Sequence, residues 1–164
     1  MASVTDAPVP SFSAPSFHGL GAVSAPIGGI PTYIDSGQDL ESVRELARTA
    51  ARAADSKGGD DTVILDVGRV LAITDAFVIT SGRNHRQVRT IAEEVEARLK
   101  AGGGPSPMRI EGADESAWVL LDYGDFVVHV FLDDVRRYYA LERLWADAPR
   151  LEWVEPAAAS RAAE

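Results

Sequence analysis

The feature that most constrains the fold is the stretch Trp118-Val-Leu-Leu-Asp-Tyr-Gly-Asp-Phe-Val-Val-His-Val-Phe131, where two β-rich runs flank Tyr123-Gly124 and aspartates stand on either side. This pattern predicts a tight antiparallel hairpin with Gly124 in the turn. With Tyr123 and Gly124 as the two loop residues, Asp122 pairs with Asp125, Leu121 with Phe126, Leu120 with Val127, Val119 with Val128 and Trp118 with His129. Side chains alternate across a strand, so Val119, Leu121, Phe126, Val128 and Val130 make one wholly apolar face, expected on the core. Trp118, Leu120, Asp122, Asp125, Val127 and His129 make the other. That mixed face suits either a covered second layer or a surface that meets a partner.

Upstream, Leu40, Val43, Leu46, Ala47, Ala50 and Ala54 recur at helical spacing, with Asp39 as the expected cap and the helix running to about Asp55. Lys57-Gly58-Gly59 stops it, and Thr62 to Val67 reads as a β-branched strand closed by Gly68. Phe77 to Thr80 is an apolar run that ends in Ser81-Gly82, the pattern of a central strand entering a glycine turn. A helix follows with Asn84 as its N-cap and Val88, Ile91, Ala92, Val95 and Leu99 on its buried side, ending at Ala101-Gly-Gly-Gly104. Met108 to Ile110 is a short edge strand behind Pro105 and Pro107. After the hairpin, Val135, Tyr138, Tyr139, Leu141, Leu144 and Trp145 predict a last helix, broken near Arg137 and stopped by Pro149. The order is α-β-β-α-β-β-β-α, which implies an α/β (α+β) fold with a mixed five-stranded sheet flanked by helices.

Residues 1–37 hold most of the prolines, no Lys or Arg and only two acids, and are expected to form a disordered extension. The folded unit is expected over 38–148, and 149–164 as a C-terminal tail. A chain of 164 residues is long enough for one domain with a real core. With no cysteine, disulfide scaffolds, zinc ribbons and thiol catalysis are excluded. No run approaches the roughly 18 apolar residues of a membrane span, and no secretory signal is seen, so a cytoplasmic, membrane-free protein is expected. A net charge of −9, from 25 acidic and 16 basic residues, argues against a broad phosphate-binding surface and for a basic partner.

Several places merit a chemical reading. Ser81-Gly82 before Arg83, Asn84, His85, Arg86 and Gln87 has the layout for anion binding at a helix N-terminus, but there is no P-loop Lys-Ser/Thr and no GxGxxG, and an ordinary glycine turn accounts for it. Asp122 and Asp125 resemble the start of a magnesium site, and with the strand–Ser-Gly–helix unit they raise a nucleotidyltransferase alternative. The acid pair of such enzymes sits two apart within one strand, whereas these flank a turn, where Asp is common for backbone reasons. His129 reads as a packed strand histidine, with no nucleophile constellation around it. Trp118, Tyr123, Tyr138, Tyr139, Leu141, Leu144 and Trp145, interleaved with Arg136, Arg137 and Arg143, have the composition of a protein-binding patch.

Five ordered blocks also carry a family resemblance: Ile73-Thr-Asp-Ala-Phe-Val-Ile-Thr-Ser-Gly82 with Arg86-Gln-Val88, Glu111-Gly112, Trp118-Val-Leu-Leu-Asp-Tyr-Gly-Asp125, Val127-Val-His-Val130, and Tyr139-Ala-Leu-Glu-Arg-Leu-Trp145. Over about residues 39–148 the chain resembles the ribosome silencing factor family, also called Iojap. The resemblance implies a nucleotidyltransferase-like topology without catalysis, no cofactor, and a translation repressor active when nutrients are scarce. It implies docking on ribosomal protein fourteen of the large subunit, which keeps the small subunit from joining, with little or no direct nucleic-acid contact. Carried over by position, the contact residues are Trp118, Leu120, Asp122, Tyr123, Gly124 and His129, with Tyr139, Arg143 and Trp145 behind or beside them. Ala76 stands where the family often has an aromatic. A homodimer of the free protein is a further expectation, since an exposed sheet edge can pair with its own copy.

Overall fold

The structure, a computed structural model, describes residues 36–154, with side chains from residue 40. The expected N-terminal extension, apart from its last two residues, and the alanine-rich end of the chain lie outside the described residues. Helix α1 spans Ser36–Ser56, strand β1 Asp60–Asp66, β2 Ala76–Gly82, helix α2 His85–Ala101, β3 Arg109–Glu111, β4 Trp118–Asp122, β5 Phe126–Leu132, α3 Asp133–Tyr139 and α4 Leu141–Leu144. The five strands form one mixed sheet in the order β1-β2-β5-β4-β3. β2 and β5 run parallel and every other pair antiparallel. The expected element order and sheet are therefore found.

On one face of the sheet, α1 and α2 pack through Val43, Ala47, Ala50, Ala51 and Ala54 and through Val88, Ile91, Val95 and Leu99. The alanine stripe keeps α1 close to the sheet, while Arg48 and Arg52 on its outer side pair with Glu41 and Glu45. α1 starts at Ser36, so Asp39 is inside the first turn rather than at the cap. Asn84 does cap α2: its side-chain oxygen accepts from the Gln87 N–H at 2.9 Å. β2 is buried along its whole length, as its apolar run requires.

The hairpin forms with a register two residues away from the expected one: Trp118 lies opposite Phe131, Leu120 opposite His129 and Asp122 opposite Val127. The loop residues are Gly124 and Asp125. Tyr123 N–H donates to the Phe126 carbonyl at 3.0 Å, and Gly124 N–H donates to the Asp122 carboxylate at 2.8 Å. Gly124 has φ +83° and Asp125 is not left-handed, the pattern of a turn with glycine first. A shift of two preserves the side-chain alternation. Val119, Leu121, Phe126, Val128 and Val130 accordingly all sit in the core under α1 and α2.

The last helix breaks at Ala140, not at Arg137. Ala140 has φ +45°, and its N–H donates to the Arg136 carbonyl at 2.8 Å. Beyond α4 the chain does not leave the fold at 148. Asp66 N–H donates to the Pro149 carbonyl at 2.8 Å, Leu151 N–H to the Ile64 carbonyl at 2.9 Å, and the Trp153 indole N–H to the Thr62 carbonyl at 3.0 Å. Residues 149–153 thus cover the free edge of β1, and Leu151 and Trp153 pack against the α1 side of the core. Two spaced apolar residues in a short extended stretch have no period to read, so the sequence pattern does not distinguish this segment from a tail.

Candidate functional site

The mixed face of the hairpin is a covered second layer. Trp118, Leu120, Val127 and Phe131 join Leu65, Val67, Phe77 and Ile79 in a core on the sheet face opposite α1 and α2. Val135 and Leu141, with the half-buried Leu71, Tyr139, Trp145 and Ala148, close over it. Trp118 is 6% exposed, Leu120 3% and His129 0%. These three side chains, expected by position among the contact residues, are buried, and α3 and α4 lie over their face of the sheet.

His129 sits at the centre of this layer. The Trp118 indole N–H donates to His129 Nδ1 at 3.2 Å. An indole can only donate, so Nδ1 must carry the lone pair and the ring proton sits on Nε2. Phe77 meets the imidazole edge-on at 5.1 Å between ring centres. Trp118 also contacts Phe131 at 4.6 Å and Tyr139 at 5.0 Å, and Phe77 contacts Trp145 at 5.8 Å. Complete burial pushes the His129 pKa down to about 3, so the ring is neutral at physiological pH. A base that cannot reach solvent or substrate has no catalytic use here.

The remaining positions divide between two regions. Tyr123 is buried on the α1/α2 side, stacked on Phe126 at 4.6 Å. Burial, and then the charge of Glu96, raise its pKa above the usual phenol value. Asp122 and Gly124 are half-buried at the hairpin tip, whereas Tyr139 and Trp145 are half-buried and Arg143 is exposed on the α3–α4 segment. Around that segment the exposed surface is unusually apolar: Leu144 is 73% exposed and Tyr138 52%. Val70 and Ile73 are exposed on the loop whose Leu71 packs into the same layer. That loop did not stand out in sequence; the apolar residues in a turn region, Val70-Leu71 and Ile73, were the available signal.

Among the described residues no cluster of metal-ligating side chains is assembled. Asp122 is committed to the Gly124 N–H and to Arg109, 3.5 Å away, while Asp125 points to solvent at the turn. Beside Ser81 lies the chain's own Arg136, committed to internal partners. Its guanidinium donates to the Asp60 carbonyl at 3.0 Å, the Asp61 carbonyl at 2.8 Å, Ser81 Oγ at 3.2 Å and Glu142 at 2.6–2.8 Å. It ties the start of β1, the end of β2, α3 and α4 together. The Gln87 side chain, in turn, accepts the Arg83 N–H at 2.9 Å and donates to the carbonyls of Lys57 and Gly58. Ser81-Gly82 is thus an ordinary glycine turn.

With this geometry in place, comparison with known proteins decides the family. The sequence model described as "Ribosomal silencing factor during starvation" matches residues 40–164. The chain belongs to the ribosomal silencing factor family. The silencing factor RsfS of Bacillus subtilis is 42% identical over 106 residues, covering 65% of this chain and 89% of the relative. The maize chloroplast protein Iojap is 28% identical over 127 residues, 76% of this chain and 54% of the relative. A mouse protein named for mitochondrial assembly of the ribosomal large subunit is 33% identical over 88 residues, 52% of this chain and 38% of its own length. Among solved structures, a Chromobacterium violaceum protein superposes with a TM-score of 0.61 at 35% identity, covering 63% of this chain and 86% of its own. The mixed five-stranded sheet with helices is accordingly shared with solved structures of this family. No described helix is long and apolar enough to cross a membrane.

Proposed function

We propose that this silencing factor is a non-enzymatic, cytoplasmic repressor of translation. It binds the large ribosomal subunit through ribosomal protein fourteen and so keeps the small subunit from joining. Membership in the ribosomal silencing factor family carries the coarser part, silencing at the ribosome. The finer part is supported by the surface over the second core layer, where Tyr138, Leu144, Val70 and Ile73 are exposed beside Arg143. Exposed apolar groups mixed with arginine have the composition of interface hot spots. Trp118, Leu120 and His129 act from beneath, as the packed layer on which Tyr139 and Trp145 rest. The hairpin tip, with the half-buried Asp122 and Gly124, is kept as the second proposed contact region, and Tyr123 supports it from the core beneath.

The net charge of −9 suits a basic ribosomal protein and disfavours direct contact with RNA. Pelleting the protein with isolated large subunits tests this. Co-sedimentation that is lost in Leu144→Asp supports the reading, and a protein that stays in the supernatant contradicts it.

A further inference from the structure

The two edges of the sheet are treated differently. The β1 edge is covered by residues 149–153, whereas β3, the opposite edge, is three residues long and pairs only with β4. Beside it, Met108 is 77% exposed and Ile110 42%. Arg109 and Glu111 pair with each other at 3.2 Å. Ile110 alternates to the opposite face, over which α2 lies.

There α2 stops short of the edge and leaves a groove of about 350 Å³. Ala92, Ile110, Val119 and Leu121 make its apolar floor, and Glu93, Glu96 and Asp114 are on its rim. Arg89, the one cation of the lining, is held at the loop end by Ser116 Oγ and the Asp114 carbonyl, each at 3.4 Å. Among the described residues neither Glu93 nor Glu96 makes an ion pair, although α2 carries Arg89 and Lys100 one turn from each.

We propose that this groove and the β3 edge form a second protein-docking site, which takes an extended segment of a partner that carries an apolar and a basic residue two positions apart. Backbone pairing along β3 would align the segment. In an extended chain, residues two apart share a face at roughly 7 Å spacing. One apolar side chain then fills the floor beside Ile110 and Leu121, and a Lys or Arg two positions on reaches Glu93 or Glu96. Charge complementarity selects this occupant over a second copy of the chain, whose net charge is −9. The site lies on the sheet face opposite the α3–α4 surface, and it does not depend on the silencing mechanism.

The test uses the full chain with a short synthetic peptide that carries valine and lysine two positions apart with serine between them (Ser-Val-Ser-Lys-Ser-Val-Ser-Lys-Ser), its counterpart with glutamate in place of lysine, and a lysine–serine control with serine in place of valine. Amide shifts in a nuclear magnetic resonance titration locate the contact, and anisotropy of a labelled peptide gives the affinity. The expected result is binding of the valine–lysine peptide alone, with shifts at residues 109–111 and 119–121. Glu93→Lys with Glu96→Lys should weaken it by about tenfold or more. Glu93 is exposed and Glu96 half-buried at the rim, and an unchanged thermal melt shows that the variant is folded. No binding, equal binding of the glutamate peptide, equal binding of the lysine–serine control, shifts confined to α3–α4, or an affinity untouched by the charge reversal would each overturn the proposal.

Discussion

The indole N–H of Trp118 donates to Nδ1 of His129 at 3.2 Å, inside a layer from which water is excluded. This one bond fixes the tautomer of the histidine and orients both rings against Phe77, Phe131 and Tyr139. Replacing Trp118 by Phe keeps most of the volume but leaves Nδ1 without its donor. Leaving a buried polar group unsatisfied costs about 1–3 kcal/mol. Urea denaturation of Trp118→Phe should show that loss. Trp118→Phe with His129→Leu should cost less than the sum of the single changes, because no orphaned acceptor remains. Strict additivity would mean that the bond carries no coupling.

His129 also makes stability depend on pH. In the folded chain its pKa is about 3, against 6.5 for a free histidine. Above pH 6.5 both states hold the neutral ring and the group contributes nothing to the dependence. Below it the unfolded chain takes up a proton that the folded chain refuses, so stability falls by up to about 1.4 kcal/mol per pH unit. The window runs from 6.5 down towards 3, and its upper part, above about pH 5, lies clear of most carboxylate titrations. Denaturant midpoints between pH 7 and 5 should fall in the wild type and stay nearly flat in His129→Leu. Parallel curves for the two proteins would rule this out.

Arg136 has 9% side-chain exposure and binds four residues in three separate parts of the chain, Asp60 and Asp61, Ser81, and Glu142. Arg136→Met keeps the aliphatic stem but leaves Glu142 and Ser81 Oγ without the guanidinium. Breaking a buried, hydrogen-bonded charge cluster on one side costs about 3 kcal/mol. Thermal unfolding of Arg136→Met should show a loss of that size, and Arg137→Met, at 75% side-chain exposure, almost none. Equal effects would mean that the tie is cosmetic.

Two glycines should separate by their surroundings. Gly124 has φ +83° and an added Cβ would meet only the flexible Met108 sulfur at 3.0 Å, so Gly124→Ala should cost about 1–2 kcal/mol, mostly backbone strain. Gly112 has φ +77° and a Cβ there would lie 2.0 Å from the Trp118 carbonyl oxygen. Backbone must move, and Gly112→Ala should be the worse of the two in chemical denaturation. The reverse order would contradict the packing of the 112–118 loop.

Much of this was legible from local chemistry. Asn84 announced the α2 cap through its own short side chain, and the alternation through Val119, Leu121, Phe126 and Val128 identified the core face even though the register was off by two. Turn details decide register: Asp122 and Asp125 both looked able to flank the loop, and only the Asx-type bond to Gly124 places Asp125 inside it. The stripe Val135, Tyr139, Leu141 and Trp145 indicates a helix without saying which sheet face it covers, so the pattern leaves open whether the face of Trp118 and His129 is covered or exposed. The Arg136 tie and the Pro149–Trp153 segment depend on contacts between residues more than fifty positions apart, for which the sequence pattern carries no periodic signal.

The most direct measurement of the central claim is subunit joining itself, followed by light scattering as purified large and small ribosomal subunits are mixed with and without the protein. The account predicts that the wild type suppresses joining when added to large subunits first, that Leu144→Asp and Arg143→Glu relieve the suppression while keeping the wild-type melting temperature, and that nucleotide is not needed. Unimpeded joining with saturating wild-type protein, or full suppression by the folded Leu144→Asp and Arg143→Glu variants, would contradict it.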